Sequence, residues 1–362
     1  MVSSSQLPVY GWDAADNRPP ISRVIVPLAD LYVGGLLRER AAADNQPTAA
    51  VQEVACASTA PELSLVIVSW NTRDLTLRCL AALAAAAASV PFETIVVDNG
   101  STDGTPAAIT TQFPGVRLVE PGRNLGFSGG NNVGLALARG RFVCLLNPDT
   151  APRPGALTAL VTFLVGHPAI GAVGPRLLNP DGREQAVGFR FPTLAQIGLD
   201  FFPLGGRFAA TNLNGRYPDA PRDRPFSIDF PLGACILARR AAVEATGPLD
   251  EGFFMYSEEV DWCRRMQAAG WPIWCVPTAE VVHYGGQSVG QQPARMFVEL
   301  QRSRLRYYRL YHSPAFVATA RLLTRLAMLK EVLIGWRAYR RGRLARERWR
   351  ERTRAYGQIY RL

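Results

Sequence analysis

Short apolar runs alternate with Ala- and Leu-rich stretches through the middle of the chain. Four runs of apolar, largely β-branched residues predict buried strands, at 63–68, 94–97, 116–119 and 141–146. The stretches between them predict helices, at 75–88, 106–113 and 131–139. Strand–helix alternation at this spacing is typical of βαβ units. The pattern therefore predicts an α/β fold with a doubly wound, mainly parallel sheet flanked by helices.

The same pattern divides the chain into three regions. Residues 1–60 mix Pro, Ala, Asn and Gln with one apolar stretch at 24–28, and we interpret them as an N-terminal extension of unknown role. Residues 61–290 hold the strand–helix repeat and form the predicted main domain. Residues 291–362 predict a basic helical C-terminal region.

Composition places the chain among globular proteins. It has 362 residues, 48% of them hydrophobic, which is enough for one large α/β domain or two ordinary ones. Its six cysteines form no CxxC pair, which excludes a zinc ribbon and a disulfide-stapled scaffold and indicates a reducing compartment. Neither a secretory signal nor an apolar run long enough to span a membrane is visible, so we predict a cytoplasmic protein.

The positive charge is concentrated near the C-terminal end. The net charge of the chain is +10, but residues 301–362 carry 17 Lys and Arg against three Glu, a net of +14. Apolar and aromatic residues lie among these arginines between 297 and 340. The region is therefore either a helical cap on the main domain or an amphipathic surface for an anionic membrane. We do not expect a nucleic-acid partner, because nothing in the chain resembles a base-reading module.

Polar clusters follow three of the predicted strands, at 69–74, 98–104 and 147–149. In a parallel sheet these carboxyl ends meet at one edge, where α/β proteins bind ligands. Asp98 is there either a turn-forming residue or an acceptor of hydrogen bonds from a nucleobase or ribose. Asp149 is either a helix cap or an oxygen ligand for Mg²⁺ or Mn²⁺ on a diphosphate.

A glycine-rich stretch and an acidic stretch add further candidates. Residues 122–134 hold five glycines, and they predict a loop whose N–H groups approach an anion just ahead of the helix at 131–139. Glu258, Glu259 and Asp261 fall in the first turn of another predicted helix. They are either favourable charges at a helix N-terminus or a general base for proton transfer. His283 ends a strand-like run shortly before two glycines and is a candidate for contact with a metal or phosphate.

Seven motifs, taken in order and spacing, carry a resemblance to a known family. They stand at 66–71 (VIVSWN), 96–104 (VVDNGSTDG), 124–132 (NLGFSGGNN), 145–149 (LLNPD), 233–237 (GACIL), 258–261 (EEVD) and His283. With these motifs the chain resembles the family-2 inverting nucleotide-sugar glycosyltransferases, and within them the rhamnosyltransferase-like branch. The resemblance covers roughly residues 62–290 and implies a GT-A type fold for the main domain.

The resemblance implies a role for each matching residue. Asp149 stands at the last position of the family's Asp-x-Asp motif and, with His283, would bind Mg²⁺ or Mn²⁺. Glu259 stands where the catalytic base of the family usually lies, with Glu258 and Asp261 as the alternatives beside it. The residues implied to bind the donor are Trp70, Asn71, Asp98, Asn99, Ser101, Asp103, Asn124, Gly126, Phe127, Asn131, Asn147 and Gly233.

Two positions depart from the family pattern. The metal motif at 147–149 reads Asn-Pro-Asp, so its first carboxylate is absent. The base position holds Glu259 rather than an aspartate, which lengthens its reach by one methylene. The sequence therefore leaves open whether Glu258, Glu259 or Asp261 is the base.

The resemblance implies an inverting sugar transfer, with rhamnose from dTDP-rhamnose as the predicted donor substrate. The implied acceptor is a hydroxyl of a glycan or lipid-linked molecule in bacterial surface polysaccharide synthesis. Such an acceptor suits a peripheral protein on the inner face of the cell membrane. A non-catalytic nucleotide-sugar binding or scaffolding protein on the same fold is the first alternative. A nucleotidyltransferase is the second, although no Gly-rich Arg/Lys signature follows the first strand.

Overall fold

The computed structural model describes residues 60–186, 188–202, 211–286 and 290–362. The predicted extension at 1–60 lies outside these residues except for its last position, and so does its apolar stretch. The strands of the described chain are β1 (Leu63–Ser69), β2 (Phe92–Asp98), β3 (Arg117–Val119), β4 (Phe142–Leu146), β5 (Thr150–Pro152), β6 (Ala172–Leu178), β7 (Glu184–Ala186), β8 (Phe226–Ile228), β9 (Cys235–Arg239) and β10 (Ile273–His283). The α-helices are α1 (Arg73–Ala86), α2 (Thr105–Gln112), α3 (Gly126–Leu137), α4 (Ala156–Gly166), α5 (Leu194–Phe201), α6 (Arg240–Thr246), α7 (Glu258–Ala268), α8 (Pro293–Tyr311), α9 (Pro314–Arg340) and α10 (Arg346–Arg361).

The strands form one mixed sheet in the order β3-β2-β1-β4-β9-β6-β10-β5, with β7 on β6 and β8 on β10. Strands β1 to β4 pair in parallel, as do β6 and β10, whereas β9 lies antiparallel between β4 and β6. The predicted doubly wound α/β sheet flanked by helices is confirmed, with a central antiparallel strand that the pattern did not predict. The register places Ser69 opposite Asp98, so the ends of β1 and β2 meet at one edge.

The glycine-rich stretch differs from its prediction. We predict a glycine-rich loop ahead of a helix at 131–139, but α3 already begins at Gly126 and runs through the later glycines. A Cβ at Gly130 would lie 2.7 Å from Val68 Cγ1, and one at Gly134 would overlap the side chain of Val66 on β1. These glycines therefore let α3 approach β1 closely, and their role is helix–sheet packing.

Helices α8 to α10 form the C-terminal region, which is helical as the sequence predicts. The Ser303 hydroxyl of α8 donates to the Met255 carbonyl at 2.7 Å, and Arg306 of α8 pairs with Asp250 at 2.6 Å. Helix α9 packs on α10, α8 and α5. In the described part of the chain, no helix is both long and apolar enough to cross a membrane.

Candidate active site

A cleft opens at the edge of the sheet where β1, β2 and β4 end. Its volume is about 1050 Å³, including the solvent at its mouth, which is the size of a site for a small organic ligand. The sequence-predicted residues that line this cleft are Trp70, Asn99, Asn124, Gly126, Phe127, Asn147, Asp149, Gly233, Glu258, Glu259 and His283. The structure thus brings together side chains from motifs that lie up to about two hundred residues apart.

Three of the predicted donor-binding residues join two loops instead of lining the cleft. The Asn71 amide donates to the Ser101 hydroxyl at 2.9 Å, and the Asn71 side-chain oxygen accepts from the Thr102 amide at 2.7 Å. The Asp103 carboxylate accepts from the amides of Arg73 and Thr105. These side chains therefore fix the loop after β1 against the loop after β2.

Asp98 and Asn131 are buried and do not line the cleft. One carboxyl oxygen of Asp98 accepts from the amides of Gly100 and Ser101, whereas the other is buried without a hydrogen-bond partner. The Asn131 side-chain amide donates to the Phe127 carbonyl inside α3. Asp98 therefore keeps an acceptor for a further donor, while the Asn131 contact is internal to its helix.

Glu258 and Glu259 are the first two residues of α7, and their carboxylates reach the cleft. The two residues before them, Tyr256 and Ser257, have φ of 72° and 66°, a left-handed conformation that non-glycine residues rarely adopt. Backbone strain of this kind persists only where the surrounding structure holds it in place, and it is frequent at functional sites. A Cβ at Gly233 would lie 3.7 Å from Glu259 Cδ, so the backbone there forms a wall against this carboxylate.

Burial changes the acidity of both carboxyl groups. Their side chains are 5% and 4% exposed, and each keeps one oxygen without a hydrogen-bond partner. Desolvation raises the pKa of Glu259 to about 7, against the smaller opposing effect of nearby backbone amides. Desolvation and then the charge of Glu259 raise the pKa of Glu258 well above its ordinary value. The pair therefore holds a proton near neutral pH, and Glu259 titrates where a general base is most effective.

Asp261 points away from the cleft. Its carboxylate accepts from Arg265 Nε at 2.9 Å within α7 and from the Tyr311 hydroxyl at the end of α8 at 2.5 Å. It lies two residues after Glu259 and so on the opposite side of the helix. The structure does not bring this candidate base to the site, and its contacts are those of a residue that attaches α8 to α7.

Asp149 and His283 lie side by side in the cleft. Antiparallel pairing of β5 with β10 sets Thr150 opposite His283, which brings the preceding Asp149 beside the imidazole ring. The distance from Asp149 Oδ1 to His283 Nε2 is 3.4 Å. A carboxylate oxygen and an imidazole nitrogen at this separation are suitable as two ligands of one divalent cation.

Gln185 fixes the tautomer of His283. Its side-chain amide donates to the Asn179 side-chain oxygen at 2.8 Å and to the His283 carbonyl at 2.7 Å, both of which can only accept. The Gln185 oxygen therefore faces His283 Nδ1, 3.1 Å away, and accepts the ring proton. This leaves the lone pair of Nε2 directed toward Asp149, as a metal-binding histidine requires.

The residues around this pair fit a divalent metal ion. Besides Asp149 and His283, the Asn147 side-chain oxygen is buried at the cleft and has no hydrogen-bond partner. No group of three or more His, Cys, Asp or Glu side chains able to hold a metal occurs among the described residues. Such a sparse ligand set suits Mg²⁺ or Mn²⁺, which share their coordination with substrate phosphates.

The cleft also contains residues that the sequence analysis did not select. The segment 254–256 lines it just ahead of the acidic pair, and its two aromatic residues within the motif-rich stretch were a usable signal. The start of α8 contributes Gln292, Arg295 and Met296, which lie in the region interpreted as the tail and gave no signal. Gln185 was missed because it lies in a strand of three residues.

The predicted anion-binding role of the glycine-rich stretch is not supported by its hydrogen bonds. The Gly126 amide donates to the Asn124 side-chain oxygen at 2.8 Å, and the Phe127 amide donates to the Phe254 carbonyl at 2.7 Å. These amides at the start of α3 are thus occupied by the protein itself. Gly126 has a φ of 75°, and a Cβ there would overlap the Phe254 carbonyl.

Comparison with known proteins agrees with the motifs. The family model described as "Glycosyl transferase family 2" matches residues 64–247. The chain is 34% identical to N-acetylglucosaminyl-diphospho-decaprenol L-rhamnosyltransferase of Mycobacterium tuberculosis over 247 residues, which cover 64% of this chain and 79% of that protein. It is 24% identical to rhamnosyltransferase WbbL of Escherichia coli, over 44% of this chain and 61% of that protein.

The fold has a counterpart among solved structures. The mannosyltransferase PcManGT from Pyrobaculum calidifontis, determined with GDP-Man and Mn²⁺, superposes with a TM-score of 0.50 at 16% identity, over 83% of this chain and 86% of that one. The GT-A type fold implied by the motifs is confirmed. The family match spans half of the chain, and the chain belongs to glycosyl transferase family 2 and is a glycosyltransferase.

Proposed function

We propose that the protein is an inverting glycosyltransferase that moves rhamnose from dTDP-rhamnose to a hydroxyl of a glycan or lipid-linked acceptor. The observation that carries this proposal is the buried Glu258–Glu259 pair in the same cleft as Asp149 and His283. One pair supplies a proton acceptor and the other supplies ligands for a cation beside a diphosphate. The rhamnosyltransferase relatives support the choice of sugar and a place in bacterial surface polysaccharide synthesis.

Glu259 is the proposed catalytic base. Its carboxylate accepts the proton of the acceptor hydroxyl while that oxygen forms a bond to the anomeric carbon of the sugar. The bond from this carbon to the nucleoside diphosphate breaks on the opposite face, so the anomeric configuration inverts. Desolvation and the charge of Glu259 raise the pKa of Glu258, which disfavours a second negative charge beside the base. Glu259 is therefore the proposed proton acceptor of the pair.

Donor binding is assigned to the side of the cleft formed by the ends of β1 and β2. Trp70, Asn99 and Asn124 line this side, and Asp98, whose second carboxyl oxygen has no hydrogen-bond partner, directly precedes Asn99. We propose that this oxygen accepts a hydrogen bond from the nucleobase or ribose. Asp149, with His283 and Asn147, would hold Mg²⁺ or Mn²⁺, whose charge would offset that of the leaving diphosphate.

We further propose that the enzyme acts as a peripheral protein on the inner face of the cell membrane. The net charge of +14 on residues 301–362 supports this location, because the inner leaflet is anionic. A lipid-linked acceptor would be presented there. We keep the division into a catalytic domain at 61–290 and a basic helical region at 291–362 as part of the same proposal.

The test is a titration of the purified full chain with dTDP-rhamnose, UDP-galactose, UDP-glucose and GDP-mannose, with and without Mn²⁺. Metal-dependent binding of dTDP-rhamnose, lost in Asp149→Ala and retained without turnover in Glu259→Gln, is the expected result. Glu244→Gln, an exposed change on α6, is the matched control and should behave as the wild type. Absence of binding to every donor would refute the transferase proposal for these sugars. Binding without any transfer to an acceptor would favour the non-catalytic alternative.

A further inference from the structure

Helix α9 has two apolar faces, and only one of them is covered. Its inner face is buried against the neighbouring helices through Ala320, Ala327, Met328 and Gly335. Its outer face carries large apolar side chains that are 46–56% exposed and that no described residue covers. This outer stripe consists of Leu322, Leu326, Leu329, Leu333 and Trp336.

The stripe is a continuous surface and not a scatter of exposed side chains. It holds five of the ten large exposed apolar residues in the described chain. Its spacing of four, three, four and three residues keeps all five within one narrow face of the helix. Over fourteen residues this face is about 21 Å long. Contiguous apolar surface of this kind marks a site of interaction with a protein or a membrane.

The charges around the stripe indicate what covers it. Arg337, Arg340, Arg341 and Arg343 are all exposed beside its last residue, and the Arg340 guanidinium lies over the Trp336 ring at 5.8 Å. The only carboxylate on α9, Glu331, is 5% exposed on the inner face and pairs with Lys330. The outer face therefore combines aliphatic side chains with exposed positive charge.

A second copy of the chain would fit this surface poorly. If two stripes packed against each other with their arginine clusters together, the two clusters would repel. If the clusters lay at opposite ends, neither cluster would find an acidic partner on α9 of the other copy. An anionic lipid leaflet instead offers hydrocarbon to the leucines and phosphate to the arginines, and Trp336 would lie at the boundary between the two. We propose that the outer stripe of α9, with its arginine cluster, docks the enzyme on an anionic membrane.

This inference rests on the proposed function in one respect, namely that a lipid-linked acceptor makes a membrane location useful. Its test needs neither donor nor acceptor. The full chain is sedimented with vesicles of phosphatidylcholine alone and with vesicles that also contain phosphatidylglycerol. We expect binding to the anionic vesicles, weakened by salt. Replacing two stripe leucines, as in Leu329→Ser with Leu333→Ser, should weaken it about tenfold for each leucine. Arg337→Gln with Arg340→Gln should weaken it about fivefold for each charge.

The control is Val165→Ser, which changes an apolar residue of similar exposure on α4, and it should bind as the wild type. All these side chains are exposed, so the variants should retain the wild-type unfolding midpoint, which is checked by circular dichroism. Equal binding of the stripe variants and the wild type would overturn the proposal. A dimer in sedimentation velocity that dissociates in the leucine variant, with no vesicle binding, would overturn it in favour of a second copy. If the wild type binds the anionic vesicles but transfers no sugar from any donor in the separate activity test, only the proposed function is refuted.

Discussion

Glu259→Gln should make the protein more stable at alkaline pH, in addition to its effect on activity. The pKa of this group is about 7 in the folded chain and 4.5 in an exposed glutamate. A folded-state pKa above the unfolded value means that the folded chain binds the proton more tightly. The stabilisation from the protonated group is then complete below pH 4.5 and is lost as the pH rises through 7.

The size of the effect follows from the shift in pKa. Two and a half pKa units correspond to about 3 kcal/mol between the protonated and the ionised folded state. Between pH 5 and pH 8 the free energy of unfolding of the wild type should fall by about 2 to 3 kcal/mol relative to that of Glu259→Gln. Glutamine has nearly the shape of the protonated acid and does not ionise, so its own contribution does not change with pH.

The assay is urea unfolding at pH 5, 6, 7 and 8, followed by circular dichroism in the presence of a chelator so that no metal shifts the equilibrium. Glu244→Gln on the exposed side of α6 is the control for loss of a carboxylate as such, and its curve should run parallel to that of the wild type. Stability curves of Glu259→Gln and the wild type that are parallel across this range would refute the reasoning. They would show that Glu259 is not desolvated in solution.

Three further outcomes follow from contacts described above. Gln185→Leu removes the acceptor of the His283 Nδ1 proton, so Mn²⁺ affinity without donor should fall about 10- to 100-fold in an electron paramagnetic resonance titration, and an unchanged affinity would contradict the tautomer assignment. Gly134→Ala should destabilise the protein by about 1–3 kcal/mol in urea unfolding, whereas Gly198→Ala, with open space around the new methyl group, should be neutral or stabilising by about 0.5–1 kcal/mol. Equal effects of the two alanines would show that α3 is not tightly packed on β1. Tyr311→Phe removes the hydrogen bond to the Asp261 carboxylate, so the free energy of unfolding should fall by about 1.5–3 kcal/mol. Donor affinity in a titration should stay unchanged.

Local patterns were sufficient for the parts of the fold that depend on neighbouring residues. The four parallel strands and the polar loops after them follow from runs of apolar residues and from turn composition. Because the carboxyl ends of parallel strands meet at one edge, the joint position of Asn99 and Asp149 at one cleft could be predicted as well. The antiparallel β9 between β4 and β6 could not, since its apolar run fits either direction.

Features that depend on distant contacts were not predictable. Which side of α7 faces the cleft depends on how α7 packs on the rest of the protein, including the contact of Asp261 with Tyr311, fifty residues further along the chain. The glycines at 126–134 resemble an anion-binding loop, yet the close approach to β1 and to Phe254 determines their role. The contribution of Met296 to the cleft depends on how α8 packs on the main domain. The basic composition of the C-terminal region gives no indication of that packing.

Helix α8 connects the rim of the cleft with the helix that bears the proposed base. It is one unbroken rod of 19 residues, about 28 Å long, whose first turn borders the cleft and whose last residue holds the acidic helix α7. Between these ends Arg306 pairs with Asp250 and so attaches the helix to the main domain. A displacement of α8 as a unit would move both the residues it contributes to the cleft and its contact with α7. The rim of the cleft and the helix that bears the proposed base are therefore both attached to one continuous helix.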